Sequence, residues 1–142
     1  MTKVLVLNGV NLGRLGTREP EIYGTITHTQ LAEHLIETGL GLGLEVEVRQ
    51  TDSEAEMISW LHQCTDEKIP VVINPGAWTH YSHALADAAR EVETVLEVHI
   101  SNIFAREDFR HQSVISSVTS GVIVGLGLAG YDFALAHLAG LQ

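Results

Sequence analysis

With 142 residues, 45% of them hydrophobic, the chain is long enough to bury the core of one domain without disulfides or metals, and we predict a single domain over residues 1–142. A formal net charge of −10 excludes a general nucleic-acid surface, which needs a basic stripe. No basic segment precedes an apolar one at the N-terminus and no apolar run approaches about 18 residues, so we expect neither secretion nor a membrane span. The single cysteine excludes a disulfide framework, and we expect a cytoplasmic protein.

The first half of the chain predicts two strands and two helices. The apolar run Val4–Leu7 is typical of a strand that is covered on both faces. Thr27–Gln30 is a capping box, which opens a helix, and the helix ends among glycines. Leu44–Arg49 alternates apolar and charged residues, as an edge strand does, and Ser53–Glu56 is a second capping box. The residues expected on the buried sides of the two helices are Leu31, Leu35, Ile36, Met57, Ile58, Trp60, Leu61 and Cys64.

The second half predicts three further strands and two helices. The strands are Val71–Ile73, Val95–Ile100 and Gly121–Val124, and the helices run from about His80 to Val92 and from Leu128 to Leu141. This alternation is typical of an α/β fold in which helices cover both faces of a parallel sheet. We predict a flavodoxin-like three-layer sandwich with five parallel strands in the order 2-1-3-4-5, which places the alternating second strand on an edge.

A long connection, Gly9–Gly24, follows the first strand. Strand-to-helix connections are usually about 2–6 residues long, and this one contains Arg14, Arg18 and Tyr23 between several glycines. It lies at the carboxyl end of a parallel strand, where open α/β sheets bind their ligands. We therefore predict a lid over a site, with a disordered surface insert as the alternative.

Glu97 and His99 lie two positions apart in the predicted fourth strand, so their side chains share one face of the sheet. A buried carboxylate and a buried imidazole are costly unless they are paired. A carboxylate beside a histidine fixes its tautomer and supports its charged form. The pair therefore predicts an oriented acid or base, with a purely structural pair as the alternative.

Polar residues also follow the predicted third strand. Asn74 ends that strand, and His80, His83 and Asp87 come next at helical spacing. Two histidines and an aspartate could form a metal site, but a strong third ligand with defined spacing is missing. Binding of the hydroxyl groups of a small ligand is the interpretation that we favour.

The few cations are concentrated at the predicted site. Of eight lysines and arginines, four lie in the loops after the first and fourth strands, namely Arg14, Arg18, Arg106 and Arg110. They predict one carboxylate held by an arginine, and another arginine beside Tyr23. Both lysines lie at the opposite end of the sheet, so a Schiff-base mechanism has no candidate residue.

Several motifs in the same order along the chain resemble those of the type II 3-dehydroquinate dehydratases. The resemblance runs nearly end to end and rests on Asn8–Pro20 with Tyr23–Gly24, Gln50–Glu54, Asn74–Ala77 with Thr79–His80, Glu97–Asn102, Arg106–Arg110 and Gly121–Tyr131. It implies a hydro-lyase without cofactor or metal, assembled as a dodecamer from four trimers. It also implies reversible loss of water from 3-dehydroquinate through an enolate, in the shikimate pathway of aromatic amino acid biosynthesis or in the quinate pathway.

The resemblance further implies roles for individual residues. Tyr23 would remove the C2 proton, Arg18 would favour its phenolate, and Asn11 would stabilise the enolate. His99, oriented by Glu97, would protonate the departing C1 hydroxyl. The implied substrate-binding residues are Asn74, His80, Asp87, Ile100, Ser101 and Arg110.

Two functions of other classes stay open from the sequence. One is a flavodoxin-like binding module whose first loop holds a phosphate or a flavin. The other is a metal-dependent lyase. The motif Gly125–Gly130 matches a dinucleotide-binding pattern, but too little chain follows for a second strand and a ribose-binding acid, so we assign it to packing of the last helix.

Overall fold

The computed structural model describes residues 1–142, and its centre is one sheet of five parallel strands. The strand order is β2-β1-β3-β4-β5, which confirms the predicted flavodoxin-like order. The edge positions belong to β2 and β5. The strands are β1 (Thr2–Asn8), β2 (Leu44–Gln50), β3 (Val71–Asn74), β4 (Val95–His99) and β5 (Gly121–Val124).

Helices cover both faces of the sheet. They are α1 (Pro20–Tyr23), α2 (His28–Gly41), α3 (Glu54–Glu67), α4 (His83–Arg90) and α5 (Ala129–Gly140). Alternate residues of β1 divide between two cores: Val4 and Val6 pack with α2 and α5, whereas Leu5 and Leu7 pack with α3 and α4. All four side chains are fully buried, as expected for a strand that is covered on both sides. No helix has the length and apolarity needed to cross a bilayer.

The predicted starts of α2 and α3 are confirmed. The Thr27 hydroxyl accepts from the Gln30 N–H while the Gln30 side chain accepts from the Thr27 N–H, and Ser53 caps α3. Ile36 was expected to be buried, and this was wrong, because its side chain is 40% exposed. It lies about 100° around the helix from Leu35, outside the buried stripe. The remaining predicted residues are fully buried, apart from Ile58 and Trp60, which are partly buried.

The helix predicted from His80 begins three residues later. A 3₁₀ turn, Gly76–His80, follows β3, and α4 starts after Ser82, whose hydroxyl accepts from the Leu85 N–H. His80 therefore precedes the helix and does not share a helical face with Asp87. The predicted helical spacing of His80 and Asp87 was wrong, because the Ser82 cap sets the start of the helix.

Candidate active site

One pocket lies at the carboxyl edge of the sheet, between the connections that follow β1, β3 and β4. Nine of the eleven predicted site residues line it, the exceptions being Glu97 and Asp87. The polar and charged lining residues are Asn11, Arg18, Tyr23, Asn74, His80, His99, Ser101, Arg106 and Arg110. Most of the residues predicted at the strand ends thus lie around one pocket.

The connection Gly9–Gly24 forms one wall of this pocket. It contains a 3₁₀ turn, Leu12–Arg14, followed by α1. Leu12 and Leu15 are buried in the core that also contains α2, so the segment packs on the domain and does not project from it as a surface insert.

The end of β2 fixes the start of this connection. An oxygen of the Asp52 carboxylate accepts from the Asn11 N–H at 2.9 Å and from Gln50 Nε2 at 3.1 Å. Gln50 also donates to the Gly9 carbonyl at 3.2 Å. Asn11 has a φ of 69°, a left-handed conformation that asparagine tolerates better than most residues. These bonds hold Asn11 at the pocket.

Tyr23 stands between two arginines. Its phenolic oxygen accepts from Arg106 Nη1 at 2.6 Å, while the Cζ atoms of Arg18 and Arg106 lie 5.2 and 5.6 Å from the ring centroid. The Glu19 carboxylate lies 3.6 Å from Arg18 Nη2 and 3.7 Å from Arg106 Nη2. The phenol of Tyr23 therefore has two guanidinium groups as neighbours. The direct donor to the phenolic oxygen is Arg106, whereas Arg18 lies over the ring.

Glu97 and His99 form the predicted pair, and both are buried. The Nε2 atom of His99 is hydrogen-bonded to a carboxylate oxygen of Glu97. Burial opposes ionisation of this carboxyl, but hydrogen bonds from His99, Thr79 and Ser116 hold the pKa of Glu97 below its usual value. Because Nε2 is occupied, Nδ1 is the nitrogen of His99 that is free to reach a ligand in the pocket.

His80 and Arg110 supply further polar groups. His80 Nδ1 donates to the Gln112 carbonyl at 2.6 Å, which leaves Nε2 as an acceptor. Burial lowers the pKa of His80 and so favours its neutral form. Arg110 pairs through Nε with Glu107, so its terminal nitrogens remain available as donors. Together the two residues can bind hydroxyl or carboxylate groups.

A buried hydrogen-bond network fixes Asn74. Its side-chain oxygen accepts from the Gly76 N–H at 3.1 Å, and its Nδ2 donates to the Tyr131 oxygen at 2.9 Å. Tyr131 donates in turn to Asn8 Oδ1 at 2.7 Å, and Asn8 Nδ2 lies 3.0 Å from His28 Nε2. Burial lowers the pKa of His28, which favours the neutral ring that can accept this bond. The orientation of the Asn74 amide is thereby set.

Comparison with known proteins identifies the family. The family model "Dehydroquinase class II" matches residues 2–139. A 3-dehydroquinate dehydratase of Salinispora arenicola is 60% identical over 138 residues, and one of Mycobacterium avium is 54% identical over 138 residues; each alignment covers 96% of both chains. The crystal structure of type II dehydroquinase from Propionibacterium acnes superposes with a TM-score of 0.98 at 60% identity, covering 99% of this chain and 97% of that one. The chain belongs to the class II dehydroquinase family.

Asp87 neither lines the pocket of this dehydroquinase nor pairs with a lining residue as Glu97 does with His99. It is exposed on α4, beside Ile58 and His62 of α3. His80, His83 and Asp87 do not converge, and no three His, Cys, Asp or Glu side chains lie close enough together to hold a metal ion. The residues that we considered as a metal site are therefore separate in the fold.

The dehydroquinase site also contains residues to which sequence analysis gave no role. Thr79 and Ser116 donate to Glu97, Tyr131 supports Asn74, and Asp52 fixes Asn11. None of them has a periodic or spacing signal that points to its partner. Arg106 is different, because it was one of the four loop cations. The arginine predicted to act on Tyr23 was Arg18, whereas the structure shows Arg106 as the donor to the phenolic oxygen and Arg18 over the ring.

Proposed function

We propose that this dehydroquinase is a 3-dehydroquinate dehydratase, which removes water reversibly from 3-dehydroquinate to give 3-dehydroshikimate. The observation that carries the proposal is one pocket lined both by a phenol between guanidinium groups and by an imidazole paired with a carboxylate. The first can act as a base and the second as a separate acid. The names of the Salinispora and Mycobacterium relatives support the same substrate.

The proposed base is the phenolate of Tyr23, which removes a proton from C2 of the substrate. This carbon lies next to a carbonyl, so the product is an enolate. The Arg106 guanidinium stabilises the charge on the phenolic oxygen through its 2.6 Å hydrogen bond, and Arg18 adds positive charge over the ring. Asn11, at the start of the same connection, stabilises the enolate oxygen.

The proposed acid is protonated His99, which donates from Nδ1 to the hydroxyl at C1. The C1–O bond then breaks, the enolate electrons form the new double bond, and water leaves. Ionised Glu97 stabilises the imidazolium and keeps Nε2–H turned away from the substrate. The chemistry needs no cofactor or metal, because both proton transfers use side chains of the pocket.

Other residues of the pocket bind the rest of the substrate. We assign the carboxylate and the remaining hydroxyls to Asn74, His80, Arg110 and the Ile100–Ser101 backbone, all of which line the pocket. The fixed amide of Asn74 and the Nε2 acceptor of His80 favour hydroxyl groups in defined positions.

The proposed lid is the segment Gly9–Gly24. Gly16 and Gly24 have φ values of 91° and 82°, conformations that glycine adopts without the strain of a side chain. Trypsin should cut the free protein after Arg14 or Arg18, and a dehydroquinate analogue should slow this cleavage by closing the segment over the pocket. Equal cleavage rates with and without the analogue would rule out a ligand-closed lid.

Asp87 is the residue through which one chain of the proposed dodecamer would contribute to the site of another. Because it is exposed and lies outside the pocket of its own chain, we propose that it contacts substrate bound by a neighbouring copy. Asp87→Ala chains and His99→Gln chains should each be inactive alone. When the two are mixed during refolding, activity should return in those sites where an Asp87→Ala chain supplies His99 and a neighbouring His99→Gln chain supplies Asp87. No recovery after confirmed mixing would remove Asp87 from the site.

The most direct test of function is the ultraviolet absorbance of the conjugated enone product. Purified protein mixed with 3-dehydroquinate should develop this absorbance, and prolonged chelation should leave the rate unchanged. No absorbance change would refute the proposal, and loss of turnover on chelation would favour a metal-dependent lyase. We place the enzyme in the cytoplasm, in the shikimate or the quinate pathway.

A further inference from the structure

Three hydroxyl groups outside the lining of the substrate pocket are connected to Glu97, and we call Thr79, Ser113 and Ser116 the hydroxyl cluster. Thr79 Oγ1 lies 2.6 Å from a Glu97 oxygen, and Ser116 Oγ lies 2.7 Å from the other oxygen. Ser113 Oγ lies 2.6 Å from Thr79 Oγ1. Thr79 itself is 0% exposed, so solvent does not compete for its hydroxyl.

The directions of these hydrogen bonds follow from the backbone around Ser113. Its oxygen accepts from the N–H groups of Ile115 at 3.0 Å and Ser116 at 2.9 Å, so its own hydrogen has to point elsewhere. The acceptor within reach is Thr79 Oγ1. Thr79 consequently donates its hydrogen to Glu97. The opposite direction would leave the Ser113 hydrogen without an acceptor and would require a proton on Glu97.

The cluster therefore presents only donors to Glu97. One carboxylate oxygen accepts from Ser116, and the other accepts from Thr79 and His99. Such an arrangement fits an ionised carboxylate and disfavours a protonated or rotated one. The titratable side chains that interact with Glu97 are His99 on β4 and His80 on the 3₁₀ turn.

We propose that Thr79 and Ser116, with Ser113 behind Thr79, are positioning residues for the general-acid step. They hold Glu97 ionised and in one orientation, so that His99 keeps Nε2–H on Glu97 and presents Nδ1 to the substrate. The proposal rests on the proposed function, because it assigns these hydroxyls to the acid in that reaction.

The competing explanation is purely structural. Thr79 also joins the 3₁₀ turn to the segment before β5, because its carbonyl accepts from the Val114 N–H at 2.7 Å. That bond belongs to the backbone and survives any side-chain replacement. Thr79→Val keeps the size and branching of the side chain but removes the donor, whereas Thr79→Ser restores the donor on a smaller side chain.

The test measures kcat, KM and the pH profile of dehydration for these two variants and for Ser116→Ala. Loss of a hydrogen bond to a charged group should lower the kcat of Thr79→Val by about 10- to 100-fold with little change in KM. Glu97 should take up a proton at higher pH when a donor is missing, so the acid limb should shift to higher pH. Thr79→Ser should recover most of the kcat, and Ser116→Ala should change in the same direction as Thr79→Val.

Thr65→Val is the control, since the partly buried Thr65 donates its hydroxyl hydrogen to the Leu61 carbonyl within α3, outside the pocket. It should keep the wild-type kcat. A wild-type kcat and acid limb in both Thr79→Val and Ser116→Ala would overturn the proposal, and so would equal losses in Thr79→Val and Thr79→Ser. If Thr79→Val does not fold, the kcat and the acid limb of Ser116→Ala alone test the proposal, and wild-type values of both would overturn it. Failure of the wild type to dehydrate 3-dehydroquinate would instead overturn the proposed function.

Discussion

Replacing Glu97 by glutamine tests how strongly the buried carboxylate supports the acid. The side chain keeps its shape, but the negative charge beside His99 disappears and an NH₂ group faces hydroxyl and imidazole donors. A hydrogen bond that involves a charged group contributes about 1.5–3 kcal/mol, and about 1.4 kcal/mol corresponds to a tenfold rate change. We therefore expect kcat to fall by about 100-fold, the lower end of the range for general-acid catalysis.

The assay follows enone absorbance under saturating 3-dehydroquinate. Glu47→Gln is the matched control, because Glu47 is a carboxylate on β2 that pairs with Arg49 and Lys3 far from the pocket, and its loss should leave kcat unchanged. Circular dichroism checks that both variants fold. An unchanged kcat in folded Glu97→Gln would refute the view that Glu97 supports His99 in catalysis.

Three further predictions concern other groups of the chain. Arg106→Met should lower kcat/KM by about 10- to 150-fold, because the hydrogen bond to the Tyr23 oxygen is lost, and steady-state kinetics would measure it. The pKa of Glu97 is lower in the folded state than in the unfolded state, so ionised Glu97 stabilises the fold fully above the unfolded value near 4.5, and this stabilisation is lost as pH falls through the lower folded value. In urea unfolding, the difference in free energy of unfolding between wild type and Glu97→Gln should therefore shrink only in that acid range. Burial raises the pKa of Cys64 to about 11, so a disulfide reagent at about pH 8 should modify it only after unfolding.

The main features of the fold could be predicted because they depend on local periodicity. Val4–Leu7 is apolar at every position, and the sheet covers it on both faces. Leu44–Arg49 alternates, and it forms an edge strand. The start of α4 could not be located, because helical periodicity does not distinguish a start at His80 from one at His83, and the Ser82 cap selects His83.

The part of the site that could be predicted is the part in which both partners of a contact belong to one strand. Glu97 and His99 pair as the period of a β-strand requires. The donors to Glu97 were not predictable, because Thr79 is 18 residues before it and Ser116 is 19 residues after it, and only the fold brings them together. Asp87 stays a prediction whose role requires a second copy of the chain.

The most direct test of the proposed division of labour is proton exchange at C2 in variants that lack either the base or the acid. 3-Dehydroquinate deuterated at C2 is incubated with Tyr23→Phe or His99→Gln in water, and NMR follows the loss of deuterium while absorbance follows the enone. His99→Gln should exchange deuterium but form little enone, because its base is intact and its acid is missing. Tyr23→Phe should do neither. Exchange by Tyr23→Phe as fast as by His99→Gln would show that Tyr23 is not the base.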